Sequence, residues 1–175
     1  MAGSLPGSRP GRNYRDAVTS PSGYHLAQFN IGRLRAPLDD PQIADFVAGL
    51  EPINALADSA PGFVWRLQDD SGNSTAVHVF ADEMLLINFS VWESVDALAE
   101  FAYRSDHRAY FVRRREWFEK MDEQYLVMWW VPAGHVPTTD EAVEKLELLR
   151  AVGASRDAFT FKVRFPAPDV AAVGQ

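Results

Sequence analysis

One segment, from Leu86 to Trp130, restricts most strongly what this chain can fold into. It begins with alternating apolar residues that end in a tryptophan, and it continues with a long helical pattern that carries one histidine and three consecutive arginines. It ends in a second, tryptophan-rich alternation. Alternation at every second residue predicts a strand, and apolar residues at every third or fourth position predict a helix. The segment therefore predicts a strand, two helices and a returning strand.

The rest of the chain extends this pattern to a mixed α+β fold. Alternating residues from Tyr24 predict a first strand, and helical spacing after Asp39 or Asp40 predicts a helix that Pro52 should kink or restart near Glu51. Ser94, Asp106 and Thr138 or Thr139 are predicted to cap the later helices. The remaining predicted elements are a strand at 63–70, a short strand at 75–80, a helix at 142–152 ended by Gly153, and a strand at 158–165.

The predicted order of elements is that of a ferredoxin-like βαββαβ antiparallel sheet with a C-terminal αβ extension. Helices cover one face of the sheet in this plan, and we expect them on the apolar side that carries Phe29 and Phe89. The residues of the opposite, mixed face are Gln28, Asn30, Arg66, Gln68, Asn88, Ser90 and Trp92. A second subunit would have to bury it, which predicts a homodimer that encloses a ligand cavity.

A single domain is predicted for residues 24–165. Residues 1–23 are rich in Gly, Ser, Pro and Arg, which predicts a disordered leader, and residues 166–175 are predicted to form a loose tail. The chain has 175 residues, of which 47% are hydrophobic, and this is enough for one core without a covalent staple.

Charge and composition exclude several classes of function. The formal net charge of −7 argues against binding to nucleic acid or to an anionic membrane, because both need a basic surface. Cysteine is absent, so disulfides and thiolate sites are excluded. No apolar run approaches the roughly 20 residues of a membrane helix. We expect a soluble, cytoplasmic protein whose partner is a small molecule.

Several motifs together resemble a known superfamily. They are PGFVWRL, SVWESVDAL, the spacing H-x-x-x-F-x-R-R-R-x-W-F, MWWVPAGHVPT and AFTFK. Over Tyr24 to Phe165 the chain resembles the dimeric α/β-barrel superfamily of antibiotic-biosynthesis monooxygenase-like proteins, and within it looks like a bacterial family of unknown function. The resemblance implies a ferredoxin-like protomer and a homodimer whose sheets share a barrel. It implies no single reaction, because this fold serves cofactor-free oxygenases, isomerases, haem enzymes and binding proteins.

Three residues are candidates for catalysis. His107 is predicted to move a proton, since histidine titrates near neutral pH; the alternative is that it caps or packs at a helix start. Arg66 lies in an otherwise apolar strand and should either pair with an acid across the dimer or hold an anionic oxygen. Asn88, on the same mixed face, could polarise a carbonyl or satisfy a neighbouring side chain.

Five further residues are candidates for substrate binding. The arginines at 113–115 cannot all face one pocket, because consecutive helical residues are about 100° apart. Their alternative role is pairing with Glu116 and Glu119, and the alternative for the aromatic residues is simple packing. The predicted substrate-binding residues are Asn30, Trp92, Phe111, Arg114 and Trp130.

The leading hypothesis is a cofactor-free enzyme of the monooxygenase, isomerase or cyclase type that acts on a flat, apolar, oxygenated substrate. A non-catalytic ligand-binding module is the first alternative. The second is a haem protein with His107 as axial ligand. No metal site is predicted, because His25, His78 and His135 have no metal-ligand spacing.

Overall fold

The structure, a computed structural model, describes residues 23–169 and has the α+β architecture that the sequence predicts. Its four-stranded antiparallel sheet has the order β2-β3-β1-β4. The strands are β1 (Tyr24–Arg33), β2 (Phe63–Arg66), β3 (Leu85–Trp92) and β4 (Leu126–Pro132). The helices are α1 (Ala44–Asp58), preceded by a 3₁₀ turn at Pro41–Ile43, α2 (Val95–Arg104), α3 (His107–Trp117) and α4 (Thr139–Val152).

Two predicted segments fall largely outside the described residues. The leader predicted for 1–23 lies outside them except for Gly23, and so does the end of the predicted tail at 170–175. None of the helices in the described part of the chain is long and apolar enough to cross a membrane.

The apolar face of the sheet is covered by the chain itself. Phe29 is the central residue of this face, and it lies opposite Phe89 on one side and Val127 on the other. Leu146 and Leu149 of α4 pack into the same buried cluster. Val77, Val79 and Phe80, from the long connection between β2 and β3, pack against its edge.

Helices α1, α2 and α3 pack on the mixed face of the sheet, so the prediction that helices cover only the apolar face is wrong. Leu98 of α2 packs with Leu26, Trp92 and Met128, which all lie on the mixed face. Farther along that face, Leu86 packs with Trp117 of α3. Because both faces are covered within one chain, a second subunit is not needed to bury the sheet. The sheet therefore gives no reason of its own to expect a homodimer.

The mixed face accepts helices because its polar residues are few and central. Leu26, Trp92 and Met128 make one end of the face apolar, and each is almost fully buried. Gln28 and Ser90 lie between the apolar ends and hydrogen-bond to each other, so their burial does not leave a polar group unsatisfied.

Most predicted helix ends are confirmed. Ser94 accepts a hydrogen bond from the backbone N–H of Ala97 at the start of α2, and Thr138 accepts one from Glu141 at the start of α4. Gly153 ends α4 with a φ of 79°, which favours glycine. Asp106 makes no side-chain capping bond to α3, and Ser105 accepts the hydrogen bond from the backbone N–H of His107 instead.

Helix α1 runs through Pro52 as one continuous helix, so the restart that was the alternative to a kink near Glu51 does not occur. Two other local predictions are wrong. Residues 75–80 form turns and irregular structure in place of a strand. At 158–165 the only pairing is an isolated bridge between Phe159 and Met128, since the chain leaves the sheet after one residue.

Candidate active site

A narrow cleft lies between the mixed face of the sheet and helices α1 to α3. Its cavity measures about 50 Å³, and the whole cleft with its open mouth encloses about 450 Å³. A cavity measured in this way needs about 10–15 Å³ to hold one water molecule, so the inner cavity holds a group of only a few heavy atoms. The polar lining residues are Asn54, Arg66, Ser74, Asn88, Ser90 and His107, and the apolar ones are Ile53, Ala57, Phe63, Leu67, Phe89, Trp92 and Phe101.

His107 is held against the cleft by a stack of aromatic rings. The ring centroids of Trp92 and Phe101 are 5.1 Å apart and nearly parallel, with an interplanar angle of 28°. Phe101 in turn lies 5.0 Å from the imidazole of His107. The stack joins the end of β3 to α2 and the first residue of α3, so it fixes the position of the imidazole relative to the sheet.

A hydrogen bond at one ring nitrogen of His107 determines the tautomer of the imidazole. Nδ1 lies 3.1 Å from the carbonyl oxygen of Ala102. A carbonyl oxygen only accepts hydrogen bonds, so Nδ1 carries the proton and Nε2 presents a lone pair. Burial lowers the pKa of His107 below its ordinary value, although the bond to Ala102 opposes this shift. The residue is therefore a neutral base at physiological pH.

Arg66 is paired with an acid of its own chain, which corrects the prediction of an acid partner across a dimer. Its Nε and Nη2 donate to the two carboxylate oxygens of Asp58 in α1 at 2.7 and 3.1 Å. Nη1 also donates to the carbonyl oxygen of Gly72 at 2.7 Å. A guanidinium has five N–H groups, and among the described residues two of them have no acceptor. Arg66 can therefore still donate to a ligand.

A chain of side-chain hydrogen bonds runs from the cleft into the sheet. Nε1 of Trp92 donates to Oγ of Ser90 at 2.9 Å, and Ser90 donates to Oε1 of Gln28 at 3.0 Å. Nε2 of Gln28 then donates to Oδ1 of Asn30 at 2.7 Å. Ser90 and Gln28 are directly opposite each other on β3 and β1. This network positions the hydroxyl of Ser90 at the cleft.

Four of the predicted site residues line this one cleft: Arg66, Asn88, Trp92 and His107. The other four do not line it. Asn30 is bonded to Gln28, and the indole N–H of Trp130 donates to the carbonyl oxygen of Phe165. Phe111 and Arg114 stack on each other, with the guanidinium carbon 4.1 Å from the ring centroid.

His107, Phe111 and Arg114 do not form a common wall of the cleft. The ring of Phe111 lies perpendicular to that of Tyr103, whereas His107 at the start of the helix packs against Phe101. None of the three consecutive arginines lines the cleft. Arg113 instead bonds to Glu116, as the alternative reading of the triplet predicted, and also to Asp45.

Sequence reasoning missed Ser90 as a separate functional candidate, and it missed Phe101 altogether. Ser90 was placed on the mixed face by alternation, but nothing near it in sequence indicates that Trp92 and Gln28 fix its hydroxyl. Phe101 belongs to the apolar stripe of α2 and is indistinguishable by spacing from ordinary packing residues. Only the contact with His107 separates it from them.

The cleft does not fit haem. Sites for cofactors and drug-sized ligands measure about 300–1,000 Å³, and the inner cavity beside His107 is about 50 Å³. The stacked ring of Phe101 also occupies one side of the imidazole. Within residues 23–169, no group of three or more His, Asp or Glu side chains could hold a metal ion.

His25 is a second histidine with an unusual environment. It lies at the start of β1 with 1% of its surface exposed, and neither ring nitrogen has a hydrogen-bond partner among the described residues. Burial lowers the pKa of His25, and the carboxylate of Glu93 opposes this shift without overcoming it. The folded protein therefore favours the neutral ring.

We predict that mild acid destabilises the fold through His25 and His107, whose pKa values are both lowered in the folded state. Below about pH 6.5, the ordinary histidine value, the unfolded chain binds protons that the folded chain does not. Stability is then lost as the pH falls, by up to about 1.4 kcal/mol per pH unit for each histidine. Urea unfolding at about pH 7.5 and about pH 5.5 measures the loss.

His25→Leu should reduce this loss of stability, because it removes one of the two histidines whose pKa is lowered by folding. The matched control is His78→Leu, at an exposed position, which should leave the loss unchanged. A His25→Leu variant with the full wild-type pH dependence would contradict the prediction.

Comparison with known proteins gives a family and two structural neighbours. The sequence model of a family described as "Domain of unknown function (DUF3291)" matches residues 25–174. The structure of PA3566 from Pseudomonas aeruginosa is similar at 13% identity and a TM-score of 0.42, over 66% of this chain and 98% of that one. NE2512, a protein of unknown function from Nitrosomonas europaea, is similar at 14% identity and a TM-score of 0.43, over 67% and 98%. No curated protein matches the chain.

Proposed function

The chain belongs to the DUF3291 family, and we propose that it is an enzyme that moves a proton on a small oxygenated molecule, as isomerases and cyclases do. The observation that carries the proposal is the fixed tautomer of His107. Its Nδ1 donates a hydrogen bond to the carbonyl oxygen of Ala102, so Nε2 has a free lone pair, and the residue lines the cleft. A neutral imidazole of this kind is a suitable general base.

The groups around His107 suit the abstraction of a proton next to a carbonyl. Arg66 retains N–H groups that can donate to the carbonyl oxygen, and the amide of Asn88 also faces the cleft. As the C–H bond breaks, its proton passes to Nε2 and negative charge develops on the oxygen. A cation beside that oxygen lowers the barrier, because it interacts more strongly with the charged state than with the substrate.

The volume of the cleft restricts the substrate. An apolar cavity that binds benzene measures about 150 Å³, and the inner cavity is about 50 Å³. A flat aromatic substrate therefore does not fit inside the cleft in this conformation. The proposal is accordingly restricted to small molecules, or to the small oxygenated end of a longer one whose remainder lies in the open mouth.

Proton abstraction can be tested without the natural substrate. The protein is incubated in D₂O with a panel of small ketones, aldehydes and keto acids, and exchange of their α-protons for deuterium is followed by NMR. We expect exchange of at least one probe to be roughly tenfold or more faster with the wild type than with His107→Gln. His78→Gln, which changes an exposed histidine, should behave like the wild type.

A non-catalytic ligand-binding module is the second candidate, and the neutralisation of Arg66 by Asp58 favours it. An arginine whose charge is already paired stabilises a developing oxyanion less strongly than a free one. Equal exchange rates for the wild type and His107→Gln across the panel would rule out the enzyme. Probe-dependent shifts of cleft resonances in that same experiment would support the binding module.

We also propose that the fold is the ferredoxin-like plan of the dimeric α/β-barrel superfamily. The strand order β2-β3-β1-β4 and the helical connections after β1 and β3 support this assignment. A homodimer is the corresponding proposal for the assembly, and it rests on the resemblance because the sheet is already covered. Sedimentation at micromolar concentration tests it, and the mass of a single chain would contradict it.

A further inference from the structure

The hydroxyl of Ser90 has only one kind of interaction left to offer the cleft. The indole N–H of Trp92 can only donate, so Oγ of Ser90 is the acceptor of that bond, at 2.9 Å. The hydroxyl proton is directed to Oε1 of Gln28 at 3.0 Å. A hydroxyl has one proton and two lone pairs. What remains available to a ligand is one lone pair, so Ser90 acts there as a hydrogen-bond acceptor.

The network behind Ser90 keeps this polarity fixed. Gln28 is 4% exposed and Ser90 is 7% exposed, so water does not easily replace either partner. Gln28 is oriented in turn by the bond from its Nε2 to Asn30 at 2.7 Å. Rotating the hydroxyl of Ser90 towards the cleft would leave the buried carbonyl oxygen of Gln28 without its donor, which is unfavourable.

Other polar groups of the cleft are also acceptors. Nδ2 of Asn54 donates to Asn73 at 2.8 Å, which leaves its Oδ1 to accept. The hydroxyl of Ser74 donates to the carbonyl oxygen of Ile87 at 2.7 Å. His107 presents the lone pair of Nε2. The cleft therefore favours a ligand that carries hydrogen-bond donors.

Arg66 supplies a donor beside this group of acceptors. It lies directly opposite Ser90 on the neighbouring strand β2, where paired residues have Cβ atoms about 5 Å apart. A ligand that spans the two residues needs an oxygen acceptor for the guanidinium and a donor for Ser90. A carbonyl group with a hydroxyl on the adjacent carbon has both in one small molecule.

We propose that Ser90 is the specificity-determining residue of the cleft and that it selects small hydroxy-carbonyl compounds; this inference rests on the proposed function. The carbonyl oxygen binds Arg66, and the hydroxyl donates to Ser90. Nε2 of His107 takes the proton from the carbon that bears the hydroxyl, and the electron pair of that C–H bond forms an enediolate whose negative charge lies on the oxygen beside Arg66. Return of the proton to the former carbonyl carbon, with transfer of the hydroxyl proton to the former carbonyl oxygen, gives the isomeric compound. No oxidant or reductant is consumed.

Hydroxyacetone and acetone test the assignment, because they differ by one hydroxyl. Binding is followed by NMR titration of the full-length protein, with the indole N–H of Trp92 as reporter, since that group donates to Ser90. We expect the wild type to bind hydroxyacetone roughly five- to tenfold more tightly than acetone. Ser90→Ala should abolish the preference, and Ser59→Ala, at an exposed position directly after α1, should keep it.

Gln28→Leu is a second variant in case Ser90→Ala does not fold. It retains the hydroxyl but releases its proton, so Ser90 can also donate and the preference for hydroxyacetone should shrink. Two outcomes would overturn the assignment. In the first, the wild type binds the two probes with equal affinity. In the second, the preference for hydroxyacetone survives Ser90→Ala or, if that variant does not fold, Gln28→Leu. If only the proposed reaction were wrong, the preference for hydroxyacetone would persist, but exchange of the hydroxyacetone α-protons would not depend on His107.

Discussion

Replacement of Phe89 by alanine is expected to lower the free energy of unfolding by about 3–5 kcal/mol. Phe89 is 2% exposed near the middle of β3. Its ring centroid lies 5.6 Å from that of Phe29, 5.4 Å from that of Trp65 and 5.8 Å from that of Trp129. These neighbours lie on three other strands of the sheet, so they cannot close together over the space that the missing ring leaves.

Urea denaturation at neutral pH measures the effect of Phe89→Ala. The dependence of the unfolding free energy on urea concentration should be unchanged, because the same surface is exposed on unfolding. Val112→Ala is the control, since Val112 on α3 is 65% exposed and its truncation should cost less than about 0.5 kcal/mol. A similar small loss for Phe89→Ala would show that the aromatic cluster does not hold the apolar face together.

A leucine at position 49 is expected to lower the free energy of unfolding by about 3 kcal/mol. Gly49 is buried in α1, and a Cβ atom there would overlap the ring of Tyr110 in α3. On an exposed helix the same change would stabilise the protein by up to about 1 kcal/mol, because glycine is a poor helix former. The overlap should prevail, because Tyr110 is itself packed against Trp117, with ring centroids 6.0 Å apart.

Ala48→Leu is the matched control for Gly49→Leu. Ala48 precedes Gly49 in the same helix but is exposed, so a leucine there should change stability by no more than about 0.5 kcal/mol. Thermal or urea unfolding of the two variants side by side gives the comparison. If Gly49→Leu were as stable as the control, α1 and α3 would not be in close contact at Gly49 and Tyr110.

Helix ends and most strands were predictable because they depend on neighbouring residues. The bond from Ala97 to Ser94 and the left-handed backbone of Gly153 are local, and the residue types alone indicate them. The strand predicted at 158–165 failed because pairing depends on a distant strand. Phe159 pairs with Met128 on the outer edge of β4, but the residues after it do not continue along that edge.

The candidate site was partly predictable. Arg66 and Asn88 were candidates because a polar side chain in an apolar strand requires an explanation, and they line the cleft with Trp92 and His107. The partners of these residues were not predictable. Asp58 lies in an exposed helix end and resembles any surface acid, yet it neutralises Arg66. The bond between Ser90 and Gln28 joins residues that are 62 positions apart.

The sequence by itself determined the α+β class, the antiparallel strands and the two faces that alternation gives each of them, because the backbone fixes a period of two in every strand. Only the tertiary structure decided which face each helix covers. Helix α4 and the connection after β2 bury the apolar side, so the mixed side receives α1 to α3. A periodic pattern defines the faces of each element but not the pairing of faces between elements, which depends on the shape and hydrogen bonding of side chains far apart in sequence. That pairing placed His107 over the sheet and made the site a cleft within one chain.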